Sequence, residues 1–215
     1  MSIFDQVKAN FPEDVSNHSM EVNLDSGISR HLVFSNDKSF NMYFGLVTWD
    51  DHLCYYGDMG TFVFQRVTDM FCFFRSKEGR INPSYWAEKL QASDRVDGYR
   101  EYSKALFEEA VKSEFEEWEF DSAEQRSEVW EDLESQVLSM AEFEVEAHHA
   151  ATDYESEYGH KFSDFWEHDL NQFTYRYLWA CYAIAWGISE YDKFKSEPTG
   201  YTSAQAKAEG VPTND

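Results

Sequence analysis

The chain has 215 residues, with seven Trp, thirteen Tyr, eighteen Phe and a formal net charge of -23. Rings that each bury on the order of 150–250 Å² supply a substantial core and exclude intrinsic disorder for the body of the chain. The acidity argues against direct binding to DNA, RNA or an anionic membrane. Three cysteines, Cys54, Cys72 and Cys181, lie in apolar stretches without zinc or framework spacing, as reduced thiols of a cytosolic protein do. The N-terminal stretch from Met1 to Val15 lacks the basic and apolar regions of a signal peptide. The longest apolar run, Leu178 to Ile188, is about half a membrane span.

In chain order, the first hundred residues read as strand-rich, mainly over 20–75. Arg30 to Phe34, Asn41 to Trp49, His52 to Tyr56 and Thr61 to Arg66 are short aromatic and β-branched runs. Asn36-Asp37, Asp50-Asp51 and the segment Gly57-Asp58-Met59-Gly60 break them, which predicts an antiparallel meander with a tight hairpin at the two glycines. Thr68 is placed to cap a short helix carrying Met70, Phe71, Phe73 and Phe74. A basic patch follows (Arg75, Lys77, Arg80), and then Asn82-Pro83, a cap and a first-turn proline.

From there to about residue 195 the period is helical. Phe107, Val111, Phe115 and Trp118 share one face of a helix that Ser103 caps, and Trp130, Leu133, Val137 and Met140 share one after Asp121-Ser122. Phe143, Ala147, Ala150, Tyr154 and Tyr158 continue the pattern on a third stretch. Ser163-Asp164 predicts a cap for a helix with Phe165, Trp166 and Leu170. A last helix, about Asn171 to Lys195, is apolar all round and belongs at the centre of the helical layer. The expectation is one α+β domain over 1–195, an N-terminal antiparallel sheet packed against a C-terminal acidic helical layer. Residues 196–215 are expected to form a flexible tail.

Between Glu101 and Glu157 stand nineteen Asp or Glu and three basic residues (Lys104, Lys112, Arg126), a net charge of -16 in 57 residues. At a helical rise of 1.5 Å this is roughly one net charge per 5 Å, against one per ~3.4 Å along a DNA strand. Two uses account for such density: solubility, or a negative face shown to something that normally binds nucleic acid. The outward positions expected to form that face are Glu108, Glu109, Glu116, Glu117, Glu124, Glu128, Glu131 and Asp132.

Other chemistry is thinly represented. Glu146 and His149 have the Glu-x-x-His spacing of di-iron bundles, but no second such pair occurs, and no metal or cofactor is expected. No Gly-x-Ser-x-Gly elbow or P-loop is present, so no catalytic residue is assigned. Asp58 in a Gly-flanked hairpin is first of all turn chemistry. A second candidate site joins Arg30, His31, Tyr55 and Asp58 of the Gly57–Gly60 turn as a binder of a small nucleotide signal.

The run Trp49-Asp50-Asp51-His52-Leu53-Cys54-Tyr55-Tyr56-Gly57-Asp58-Met59-Gly60-Thr61-Phe62-Val63-Phe64 resembles a family of small proteins encoded by tailed bacteriophages and prophages. So do Asp69 to Arg75, Ile81 to Leu90, Asp164-Phe165-Trp166-Glu167 and Tyr175 to Gly187. The resemblance implies a phage origin, action in the host cytoplasm and no catalytic residue. A compact, acidic, non-enzymatic phage protein is expected to block host defence nucleases or other DNA-binding machinery, as an anti-restriction or anti-CRISPR protein does. Its expected partner is a basic host nucleic-acid-binding protein or defence complex. The alternatives are the nucleotide binder above and an enzyme of unrecognised type using Asp58 or His148-His149.

Overall fold

The structure, a computed structural model, describes residues 2–76 and 79–196. Lys77 of the basic patch and the expected tail beyond Ser196 lie outside the described residues. The fold is α+β, an N-terminal antiparallel sheet followed by helices. By its tertiary contacts the chain divides into two compact units. One comprises the chain up to Ser93 together with the chain from Leu178, and the other runs from Asp94 to Tyr177.

The first unit opens with helix α1 (Ile3–Asp14), capped by the Ser2 hydroxyl, which accepts from the Asp5 amide at 3.1 Å. Strands β1 (Ser19–Ser26), β2 (Ser29–Ser35), β3 (Phe44–Trp49), β4 (His52–Gly57), β5 (Gly60–Gln65) and β6 (Leu90–Ala92) form one antiparallel meander in sequence order. Alternation sends Leu32, Phe34, Phe44, Leu46, Leu53, Tyr55, Phe62 and Phe64 to one fully buried face. Between β5 and β6 lie two short helices, α2 (Met70–Phe74) and α3 (Pro83–Ala87). The Asp69 carboxylate caps α2, one residue after the Thr68 expected from sequence. Asn82 caps α3 with Pro83 in its first turn, as expected.

Helix α7 (Tyr175–Ser196) closes this unit from Leu178 onward. Its apolar residues meet the sheet rather than a helical layer: Trp186 lies 5.5 Å from the Phe34 ring, and Trp179 5.7 Å from Phe44. The close approach depends on Gly187, where a Cβ would come within 3.0 Å of Leu46 and 3.1 Å of Phe34. This corrects the placement of the last helix: a face apolar all round is satisfied here by sheet and α1 together. Phe11 of α1 meets Trp179 edge to face at 5.1 Å and stacks on Tyr182 at 5.6 Å.

At the hairpin, Gly57 has φ +155°, and a Cβ there would overlap the Tyr43 carbonyl oxygen and the Phe44 Cα. Gly57→Ala is therefore expected to cost about 2–3 kcal/mol in chemical denaturation, from strain and overlap together. Gly27→Ala, at φ +62° in open space, should cost only about 1–2 kcal/mol. Equal losses at the two positions would refute the role given to the Tyr43 carbonyl.

The second unit holds β7 (Arg100–Tyr102) paired with β8 (Asn171–Phe173), and helices α4 (Lys104–Glu117), α5 (Ala123–Gln136) and α6 (Glu144–Asp153). The Ser103 and Ser122 hydroxyls cap α4 and α5. These helices build a core of their own from residues such as Phe107, Val111, Phe115, Leu133, Ala147 and Phe165, with Trp118 and Trp130 packed against it. A 3₁₀ turn, Leu138–Met140, separates α5 from α6. The helix expected after Ser163-Asp164 is a single 3₁₀ turn, Phe165–Glu167, because Asp164 sits at φ +54°, ψ +33° rather than in the extended conformation of an N-cap.

Candidate functional site

The four residues of the nucleotide-binding candidate do not converge. Arg30 and Tyr55 point to the buried face of the sheet, and His31, one residue along β2, points to the other. The Arg30 guanidinium is held by both Asp69 oxygens at 2.9 and 3.1 Å and lies 4.6 Å from the Phe71 ring centroid. Its Nε donates to the Tyr191 hydroxyl at 3.4 Å; that hydroxyl donates to Asp25 at 2.7 Å, and Lys195 donates to the other Asp25 oxygen at 2.9 Å. Burial alone would raise the Asp69 carboxyl, but the Arg30 hydrogen bonds and charge hold it below the ordinary carboxylate value. The Lys195 and Tyr191 hydrogen bonds lower Asp25 likewise. Arg30 thus ties β2 to α2 and α7.

His31 shares a 2.8 Å hydrogen bond with the Tyr56 hydroxyl, and the Tyr56 ring lies over Gly45 of the neighbouring strand. One Asp58 oxygen accepts from the Met42 amide at 2.8 Å, a loop-fixing bond. Glu146 and His149 on α6 are both exposed. Among the described residues no three His, Cys, Asp or Glu side chains are placed to hold a metal ion. No described helix is long and apolar enough to cross a membrane.

The acidic candidates all belong to the second unit. Glu108, Glu109, Glu116 and Glu117 on α4 and Glu124, Glu128 and Glu131 on α5 are exposed, and Asp132 is half-buried. At ~3.6 residues per turn, the four on α5 fall in a stripe about 100° wide and the four on α4 spread over about 180°. Arg126 pairs with Glu116 while its guanidinium lies 4.8 Å from the Phe115 ring centroid, the Tyr158 hydroxyl donates to Glu128, and the Gln136 amide donates to Asp132. Glu128 and Asp132 also line a hollow of about 370 Å³ with Glu155 and Glu157.

The field of these carboxylates registers on neighbouring phenols. Burial, then Glu144, Glu108 and Glu142, push the Tyr102 hydroxyl up to about 12. Burial and the nearby Asp132 push Tyr154 well above the usual range. Charge divides unevenly between the units. Asp94 to Tyr177 holds 24 acidic and seven basic residues, net -17, while the rest of the chain holds 17 and 11, net -6. Within the acidic unit an apolar patch also reaches the surface: Val145 and Trp166, 65 % and 68 % exposed, line a hollow of about 470 Å³ with His148 and His149. The exposed patch was not legible in the sequence, because Trp166 follows Phe165 in a turn where helical spacing would have placed both inside.

No protein-family model, no curated protein and no solved structure matches this chain.

Proposed function

We propose that this chain is a bacteriophage accessory protein that inhibits a host defence or nucleic-acid-handling complex in the host cytoplasm, through the acidic helices α4 and α5. The observation that carries this reading is the concentration of charge: -17 of the total -23 lies in the 84 residues from Asp94 to Tyr177. Self-repulsion on that scale opposes a compact fold. Carboxylates held on rigid helices can meet the Lys and Arg of a nucleic-acid channel through charge-assisted hydrogen bonds and displace the phosphates bound there. Exposed Val145 and Trp166 supply the aromatic anchor that protein interfaces favour and that solubility alone does not require. The protein acts as a stoichiometric inhibitor, with no catalytic residue assigned.

Affinity capture from bacterial lysate tests the reading. The captured partner should be a basic nucleic-acid-binding protein, released by duplex DNA and weakened steeply between about 50 and 200 mM salt. Reversing Glu108, Glu109, Glu116 and Glu117 to Lys should abolish capture with the fold intact, since exposed substitutions usually change stability by no more than ~0.5 kcal/mol each. A quadruple variant that inhibits its partner at full strength would remove these helices as the working surface.

A further inference from the structure

One short segment runs against the charge of the chain. Between Cys72 and Lys89 stand four basic residues (Arg75, Lys77, Arg80, Lys89) and two acidic ones (Glu78, Glu88). Here the residues around α2 and α3 line an open hollow of about 550 Å³ in the first unit, a volume within the roughly 300–1,000 Å³ typical of small-molecule sites.

Its floor is aromatic. Phe74 and Trp86 are buried edge to face at 4.8 Å. Above them the Tyr85 ring is 39 % exposed, 5.7 Å from Phe73 and with the Lys89 ammonium 4.7 Å from its centroid. Its polar wall has one spent cation and one available. Arg75 donates from Nε and Nη2 to the two Asp192 oxygens at 2.7 and 2.9 Å, so that pair is neutral in sum. Arg80 is exposed and pairs with no carboxylate among the described residues.

We infer that this hollow binds a nucleoside phosphate, with the phosphate on Arg80 and the base against the Tyr85 ring. A bare phosphate leaves the aromatic surface unused. An uncharged ring gains nothing from Arg80. A ring joined to an anion answers both, and stacking on an aromatic face is tolerant of base identity. The site uses none of the acidic helices and none of Arg30, His31, Tyr55 and Asp58, so it stands apart from the inhibitory surface proposed above.

Calorimetric titration of the full chain with AMP, and separately with adenosine and inorganic phosphate, tests the inference. AMP should bind saturably, with each fragment at least about tenfold weaker, because neither makes both contacts. Arg80→Ala should weaken AMP about tenfold or more, Arg80→Lys less, and Tyr85→Ala about tenfold while Tyr85→Phe stays near wild type. Arg80 is exposed, so its variants carry the test even if Tyr85→Ala perturbs α3. The Glu108, Glu109, Glu116, Glu117 reversal should leave AMP affinity within about twofold, as independent sites do. No saturable binding at millimolar AMP, AMP no tighter than inorganic phosphate, or Arg80→Ala binding like wild type would each overturn the assignment.

Discussion

Asp69→Asn lowers stability by about 3 kcal/mol in urea denaturation, because it strands the Arg30 guanidinium on the buried face of the sheet. The Arg30 side chain is 9 % exposed and Asp69 28 %, which puts the loss at the lower end of the ~3–5 kcal/mol range for breaking a buried pair. Asn keeps an oxygen for the Phe71 amide that Asp69 accepts at 3.1 Å, so this variant isolates the charge. Asp69→Ala also forfeits the cap and loses about 1 kcal/mol more. Removing both charges, as in Arg30→Met with Asp69→Asn, should restore much of the loss, since no ion is then left unpaired. The pH dependence follows from depressed carboxyls. Asp69 and Asp25 ionise below the ordinary 3.8 in the folded chain. Their contribution is therefore complete above about pH 4 and drains away as pH falls through the folded values. A single Asp69→Asn variant within ~0.5 kcal/mol of wild type would show that Arg30 finds another partner.

Trp179→Ala is expected to cost about 3–5 kcal/mol, a large share of a domain's usual 5–15 kcal/mol. The indole is fully buried, edge to face with Phe11 at 5.1 Å, and its Nε1 donates to Asp14 at 2.9 Å. One side chain thus joins α1, the sheet and α7. Trp179→Phe retains most of the apolar volume but loses the hydrogen bond, and should cost about 1–2 kcal/mol. Equal losses for Ala and Phe would mean that the bond to Asp14, rather than packing, holds α1 in place.

Local chemistry made much of this fold readable. Ser103 and Asn82 cap the helices they were expected to cap, and α5 starts after Asp121-Ser122 as expected, because each is a short polar stretch directly before a helical apolar period. Gly57 and Gly60 close the hairpin that their backbone freedom allows. The misses came where long-range packing decides. Helix α1 shows only Val7 and Phe11 as buried residues, and its partners, Trp179 and Tyr182, lie more than 160 residues away. The strands β7 and β8 are three residues each, too short for alternation to register, and exist because Arg100 to Tyr102 pairs with Asn171 to Phe173. Thr174, whose hydroxyl accepts from the Tyr177 amide at 3.2 Å, marks the true start of α7, and a cap search before the Tyr175 run would have found it.

The two candidate sites differed for a related reason. Carboxylates at surface periods of a helix stay outside, so seven of eight acidic positions were legible as exposed. Arg30 and His31 looked adjacent in sequence, yet a strand sends neighbours to opposite faces, and the partner that claims Arg30, Asp69, lies 39 residues on.

The chain leaves the first unit at Ser93 and rejoins it at Leu178, and this order has a consequence for synthesis. All six strands of the first sheet emerge from the ribosome before the 84 residues from Asp94 to Tyr177, and the part of α7 from Leu178 onward emerges after them. At ~5–20 residues per second, that insertion alone keeps the completed sheet waiting roughly 4–17 s for the helix that covers Phe34, Phe44 and Leu46. During that interval the nascent sheet offers a sticky apolar surface to other chains, while the polypeptide being added carries a net charge of -17. A net charge of that size on the growing chain opposes its association with other chains, as net charge far from zero does in general.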